Sequence, residues 1–77
     1  MAITVKYFAV LREQLGRAQD TIDYERGMTV AQVWEKATGG ASAPGTLMVA
    51  VNMKYAKDDV GVADGDEVAF FPAVTGG

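Results

Sequence analysis

The last four residues, Val74-Thr75-Gly76-Gly77, are the part of the chain best suited to chemistry. A terminal glycine carboxylate on an extended stalk can enter a narrow channel, because glycine lacks a Cβ and adopts backbone angles that other residues avoid. A carboxylate reacts only once it is activated, for instance as an acyl-adenylate. The chain has no phosphate-binding glycine loop, so a partner would have to supply the ATP chemistry. The alternative is a frayed end, since terminal residues are often poorly ordered.

Two aromatic residues fall on strand faces that are otherwise polar. Phe8 shares its face of the first strand with Lys6, and Phe71 shares its face of the last strand with Glu67. If these strands pair in parallel, about 4.8 Å apart, the two rings form one patch beside the C-terminal residues. Exposed apolar patches mark docking sites, which is the function we predict for this pair. The alternative is that a loop or a short helical turn covers both rings.

The composition excludes most other functions. Without cysteine or histidine the chain has no disulfide, no thiolate metal site and no imidazole base, so we do not expect an enzyme acting alone. Seven basic against ten acidic residues, with a net charge of −3, argue against nucleic-acid binding. The acidic residues at 58–59 and 64–67 do not fit the spacing of an EF-hand calcium loop, and turn chemistry explains them better than a metal.

The chain also lacks targeting and membrane signals. No signal peptide is visible at its start, and no apolar run approaches the roughly 18 residues of a membrane helix. We therefore expect a cytoplasmic protein that does not bind membranes. Its 77 residues suit one small domain, predicted over 1–72, with a flexible diglycine tail over 73–77.

The elements that position these residues follow from periodicity. Alternating apolar residues predict strands, and a helix is predicted where Thr29 and Gln32 form a capping box ahead of an apolar stripe that includes Val33 and Trp34. Trp34 is interpreted as a core residue, not as a platform for a cofactor. The predicted order is strand 3–8, helical turn 9–15, strand 20–24, helix 29–39, and strands 46–52, 55–57 and 67–71. This order indicates an α+β fold in which one main helix packs on a single sheet.

Four segments together resemble the MoaD family, the small subunits of molybdopterin synthase. They are VKYFAVLRE at 5–13, VN at 51–52, DGDEVAFFP at 64–72 and VTGG at 74–77. The resemblance runs from the first strand to the last residue and weakens between about 17 and 45. Its specific part is the closing block, in which Gly-Asp-Glu-Val is followed by Phe-Phe-Pro and a terminal diglycine.

The resemblance implies a ubiquitin-like β-grasp fold, with a mixed sheet of four to five strands, and a role as a sulfur carrier in molybdenum cofactor biosynthesis. An activating enzyme would use ATP to adenylate Gly77, and a sulfur donor would convert it to a thiocarboxylate, with Gly76 giving the tail its flexibility. The tail would then enter the large subunit and give its sulfur to cyclic pyranopterin monophosphate. No bound cofactor or metal is implied.

The resemblance also implies partners and a docking surface. The expected assembly is a heterotetramer of two small and two large subunits, and the activating enzyme is a second partner. The residues expected to contact these partners are Phe8, Tyr55, Phe71, Pro72, Val74 and Thr75.

Three alternatives use the same residues differently. A thiamine-pathway sulfur carrier also has a β-grasp fold and a diglycine end, but its first two strands join by a tight hairpin where this chain inserts 9–16. A ubiquitin-like modifier would use Gly77 to form an isopeptide bond with a lysine of its target. A plain interaction domain would leave the tail inert.

Overall fold

Five strands and two helices follow one another in the order that periodicity predicts. The computed structural model describes residues 1–42 and 46–73. The elements are β1 (Ala2–Tyr7), α1 (Val10–Leu15), β2 (Gln19–Asp23), α2 (Val30–Thr38), β3 (Leu47–Val51), β4 (Lys54–Ala56) and β5 (Glu67–Pro72). Each predicted element is confirmed, and no bound differs from the predicted one by more than one residue. The last strand, predicted over 67–71, extends one residue further, because Pro72 is the final residue of β5.

The strands form one mixed sheet in the order β2-β1-β5-β3-β4. The first and last strands, β1 and β5, are parallel neighbours near the centre, and every other pairing is antiparallel. Helix α2 contributes Val30 and Val33 to the same buried core as the sheet. A mixed five-stranded sheet with a helix packed on it confirms the ubiquitin-like β-grasp fold.

The core lies between α2 and the inner face of the sheet. The innermost positions of β1 and β5 are almost fully buried, as are Val30 and Val33 of α2. Trp34 packs edge-on against two core aromatics, with ring centroids 6.5 Å from Tyr7 and 4.9 Å from Phe70. Its indole Nε1 donates a hydrogen bond to the Ala41 carbonyl at 2.9 Å. These contacts show that Trp34 is partly buried and packs against the core, as the interpretation of Trp34 as a packing residue predicts.

The limits of α2 are set by its sequence. The Thr29 backbone N–H donates to Gln32 Oε1 at 2.9 Å, and the Gln32 backbone N–H donates to Thr29 Oγ1 at 3.4 Å, so the predicted capping box is present. At the other end Gly39 adopts a left-handed conformation with φ 72°. Its N–H donates to the Glu35 carbonyl and closes the last turn.

A polar cluster that sequence reasoning did not find closes one edge of the core. The Tyr7 hydroxyl donates to Asp20 Oδ2 at 2.8 Å, and Arg17 Nε donates to the same oxygen at 2.6 Å. Burial, followed by the hydrogen bond with Asp20, raises the pKa of Tyr7 from 10.0 to about 12. Burial favours the neutral form of Asp20, but the hydrogen bonds from Arg17 and Tyr7 outweigh it and lower the pKa of Asp20. The cluster ties β1 to β2 and the segment before it.

Neither described helix has the length and apolar character needed to cross a membrane.

Candidate docking surface

The parallel pairing of β1 with β5 brings Phe8 and Phe71 to the same end of the sheet. Tyr7 lies opposite Phe70, and the Phe8 backbone N–H donates to the Phe70 carbonyl at 3.1 Å. This pairing confirms the predicted arrangement of the two strands. Phe8 is 46% exposed and Phe71 is half-buried, so helix α1 leaves both accessible.

Phe8 itself lies one residue beyond the strand in which it was predicted, because the chain turns sharply at Ala9. Ala9 has φ 54° and ψ −132°, a conformation that residues with a Cβ rarely adopt. The Phe8 carbonyl accepts a hydrogen bond from the Leu11 N–H at 3.2 Å, which closes the turn and starts α1. The turn places Leu11 in the core and leaves Phe8 and Val10 exposed, the latter by 43%.

The apolar residues continue across the outer face of the sheet, opposite α2. Phe71 of β5 pairs with Met48 of β3, and the Tyr55 ring of β4 lies 6.0 Å from the Phe71 ring. Tyr55 is 78% exposed. The next row towards the middle of the sheet holds two alanines, one on β5 and one on β3, which pair with each other. We call this set the apolar surface, and its members are Phe8, Met48, Ala50, Tyr55, Ala69 and Phe71.

Three members of the apolar surface, Met48, Ala50 and Ala69, were missed by sequence reasoning. The alternation that turns Val49 inward is visible in the sequence, and it implies that Met48 and Ala50 face outward. The register that brings them beside Phe71 and Ala69 depends on long-range pairing between β3 and β5. Only the structure supplies that register.

The other half of the outer face is polar. Lys6 Nζ lies 3.2 Å from Glu67 Oε2. Thr4 of β1 pairs with Glu67 of β5 on one side and with Thr21 of β2 on the other. An exposed ion pair contributes little to stability, about 0–1 kcal/mol. Its importance here is positional, since it marks the polar border of the apolar surface.

The apolar surface lies where β5 ends. Pro72 pairs with Leu47, and the Ala73 backbone N–H donates to the Thr46 carbonyl at 2.8 Å, so sheet contact extends one residue past the predicted domain boundary at 72. The predicted tail residues at 74–77, which include Val74, Thr75 and the diglycine, lie outside the described residues. Their roles stay predictions.

The acidic residues at 58, 59 and 64 lie in turns, whereas Glu67 begins β5. Asp66 Oδ2 accepts from the Ala63 N–H at 2.8 Å, and Asp66 Oδ1 accepts from Asn52 Nδ2 at 2.9 Å. The Asn52 side-chain carbonyl in turn accepts from the Glu67 N–H at 3.0 Å. No group of three or more potential ligands comes together within 1–42 and 46–73. The hydrogen bonds that Asp66 accepts favour the turn interpretation for this residue.

The apolar surface lies at the end of β5, the strand after which the sequence runs on to the diglycine at 76–77, and comparison with known families shows to which family such a chain belongs. The sequence profile of the ThiS family matches residues 5–77. The chain belongs to the ThiS family. The match begins at Val5, within β1, and runs through Phe8 and β5 to the last residue of the sequence.

Two bacterial members are similar over almost their whole length. The molybdopterin synthase sulfur carrier subunit of Escherichia coli (strain K12) is 42% identical, with 97% of this chain and 99% of the relative covered. The protein of the same name from Haemophilus influenzae (strain ATCC 51907 / DSM 11121 / KW20 / Rd) is 37% identical over the same shares. These likenesses confirm the family resemblance found in the sequence.

A solved structure supports the fold independently. The crystal structure of small archaeal modifier protein 1 of Haloferax volcanii superposes with a TM-score of 0.81 and 25% identity. The alignment covers 95% of this chain and 98% of the archaeal one. The name of the archaeal protein describes a modifier, which is one of the alternatives that the sequence left open.

Proposed function

We propose that this chain is the sulfur carrier subunit of a molybdopterin synthase. Gly77 is adenylated by an activating enzyme that uses ATP, and the adenylate is then replaced by sulfur to give a C-terminal thiocarboxylate. The thiocarboxylate donates its sulfur to cyclic pyranopterin monophosphate in the active site of the large subunit. The chain binds no cofactor of its own and is not an enzyme alone.

The observation that carries the proposal is the likeness to two molybdopterin synthase sulfur carrier subunits, at 42% and 37% identity over nearly full length. The same relatives favour the molybdopterin pathway over the thiamine pathway. Helix α1 and its flanking turns separate β1 from β2, where the thiamine-pathway carrier is expected to have a tight hairpin. We place the carrier in the cytoplasm, in a heterotetramer of two small and two large subunits.

The apolar surface supplies the recognition that such a carrier needs. Aromatic residues are enriched among the anchors of protein interfaces. This surface presents the neighbouring rings of Tyr55 and Phe71, and the exposed Phe8 lies at the same end of the sheet as Phe71. Lys6 and Glu67 border it with charge, as a polar rim does. In this proposal the large subunit binds the apolar surface, with Pro72, Val74 and Thr75 alongside, and that contact directs the terminus to the active site.

A reconstituted transfer reaction tests the function. The chain is first treated with activating enzyme, ATP and a sulfur donor, then purified and mixed with large subunit and cyclic pyranopterin monophosphate. We expect the dithiolene product to form in proportion to the treated chain, while untreated chain gives none. If the treated chain binds the large subunit but gives no product, the assignment to molybdopterin synthesis is wrong.

A second candidate, a ubiquitin-like protein modifier, is favoured by the likeness to the Haloferax volcanii modifier protein. It would use the same activated Gly77 to form an isopeptide bond with a lysine of a target. Incubating tagged chain with ATP and lysate of its own source tests this. Conjugates of high mass that resist thiol reagents would support the modifier, and their absence beside active sulfur transfer would favour the carrier.

A further inference from the structure

The four methionines of the chain occupy three different environments. Met28 is only 4% exposed and belongs to the core. Met1 and Met53 are 90% and 91% exposed. Met48 differs from all three, because it is half-buried on the outer face of β3 and pairs with Phe71 in the apolar surface. Its thioether therefore lies among the groups that the proposed function assigns to partner binding.

The two exposed methionines are not members of the apolar surface. Met53 is in the turn between β3 and β4, where the neighbouring Asn52 N–H donates to the Glu67 carbonyl at the start of β5. Met1 precedes β1 and Phe8 follows it, so these two residues lie at opposite ends of that strand. Met48 pairs instead near the end of β5. Oxidation of Met1 or Met53 changes no member of the apolar surface, whereas oxidation of Met48 changes a member that pairs with Phe71.

We propose that Met48 is an oxidation site through which a peroxide weakens partner binding, an inference that rests on the proposed function. The Met48 sulfur attacks one oxygen of hydrogen peroxide, the O–O bond breaks, and an S–O bond forms. Proton transfer releases the other oxygen as water. The sulfur loses two electrons and the peroxide gains them, so thioether and peroxide become sulfoxide and water without any other reactant.

The consequence for binding follows from polarity. The thioether is apolar and packs well beside aromatic rings, whereas the sulfoxide carries a strong dipole that prefers water. A partner that matches the apolar surface presents apolar groups to Met48, so docking would bury the sulfoxide oxygen without a hydrogen-bond donor, and burial of an unsatisfied polar group is unfavourable. We expect the dissociation constant for the large subunit to rise by about ten-fold or more. The fold is expected to tolerate the change, because the residue faces outward.

The test measures binding of the full chain to the large subunit by calorimetric titration, before and after hydrogen peroxide treatment. Peptide mapping by mass spectrometry follows each methionine separately. Wild type should lose affinity in step with oxidation of Met48, and a methionine sulfoxide reductase should restore it. Met48→Leu should show the same dissociation constant before and after peroxide, whatever its starting value. Met53→Leu, the matched control, should respond to peroxide as wild type does.

Three results would overturn the inference. One is unchanged affinity of wild type with Met48 fully oxidised, and a second is equal loss of affinity in peroxide-treated Met48→Leu. A third is a Met48 that stays reduced under conditions that oxidise Met53. Failure of untreated wild type to bind the large subunit is a different outcome, because it refutes the proposed function and with it the basis of this inference.

Discussion

Phe70 and Phe71 are adjacent in the chain and identical in chemistry, but they lie on opposite faces of β5. Phe70 is 1% exposed and its ring lies 4.9 Å from that of Trp34 in the core. Replacing it with alanine removes most of a buried ring, which costs about 3–5 kcal/mol of stability in comparable cores. Total stabilities of small domains are about 5–15 kcal/mol, so Phe70→Ala should lower the melting temperature sharply.

Phe71→Ala should have the reverse profile. The Phe71 side chain is half-buried on the outer face and its ring lies 6.0 Å from that of Tyr55, so the core keeps its packing when it is removed. We expect a loss of stability of about 1 kcal/mol or less. Binding to the large subunit should weaken by about 2 kcal/mol, close to thirty-fold in the dissociation constant, as for a buried aromatic anchor.

Urea denaturation and calorimetric titration on both variants separate the two effects. A third variant, Thr21→Ala, changes the polar half of the same outer face and should alter neither quantity appreciably. The reasoning is refuted if Phe71→Ala unfolds as readily as Phe70→Ala, because the two faces would then be wrongly assigned. It is also refuted if Phe71→Ala keeps wild-type affinity, because the apolar surface would then not be the docking surface.

Three further predictions concern other parts of the molecule. Met53→Gly should stabilise the protein to urea by about 0.5–1 kcal/mol, because Asn52 and Met53 both have positive φ, at 50° and 69°, and Asn-Gly suits such a turn. Folding raises the pKa of Tyr7 from 10.0 to about 12, so the folded state holds the hydroxyl proton more tightly and is stabilised while Tyr7 is protonated. The difference in free energy of unfolding between wild type and Tyr7→Phe should therefore shrink as pH rises from 10.0 towards 12. Deleting Gly77 moves the carboxylate by about 3.5 Å, so the truncated chain should bind the large subunit and inhibit transfer competitively.

Each of these has a clear contrary result. Destabilisation by Met53→Gly would mean that the methionine side chain makes contacts that its 91% exposure does not suggest. A difference between wild type and Tyr7→Phe that is constant with pH would mean that the hydroxyl keeps its ordinary pKa when folded. Normal sulfur transfer by the chain lacking Gly77 would mean that this carboxylate is not the reacting group.

The sequence predicted those features of the fold that depend on local pattern. Strand alternation separated Phe70 from Phe71, and the Thr29–Gln32 capping box located the start of α2, because each depends on residues within a few positions of one another. The apolar surface was only partly predictable. Phe8 and Phe71 interrupt a polar pattern and so were predicted from the sequence, and Tyr55 was expected only from the family resemblance. Met48 follows the alternation of its strand and gives no such signal.

The features that were missed depend on long-range pairing or on backbone strain. Tyr7 and Asp20 meet because β1 and β2 pair in a particular register, and nothing near either residue specifies that register. The turn at Ala9 is also unmarked, since alanine is not a residue expected at positive φ. Predicted alternation therefore extended β1 through Phe8, one residue too far.

The central claim is that sulfur is carried on the carboxyl group of Gly77, and mass spectrometry tests it most directly. The chain is incubated with activating enzyme, ATP and a sulfur donor, and fragment ions locate the change. Locating it is essential, because replacing an oxygen by sulfur and oxidising a methionine add nearly the same mass. Sulfur confined to Gly77, and absent when ATP is omitted, is the predicted result. Sulfur elsewhere, or none at Gly77 despite an active enzyme, would contradict the account.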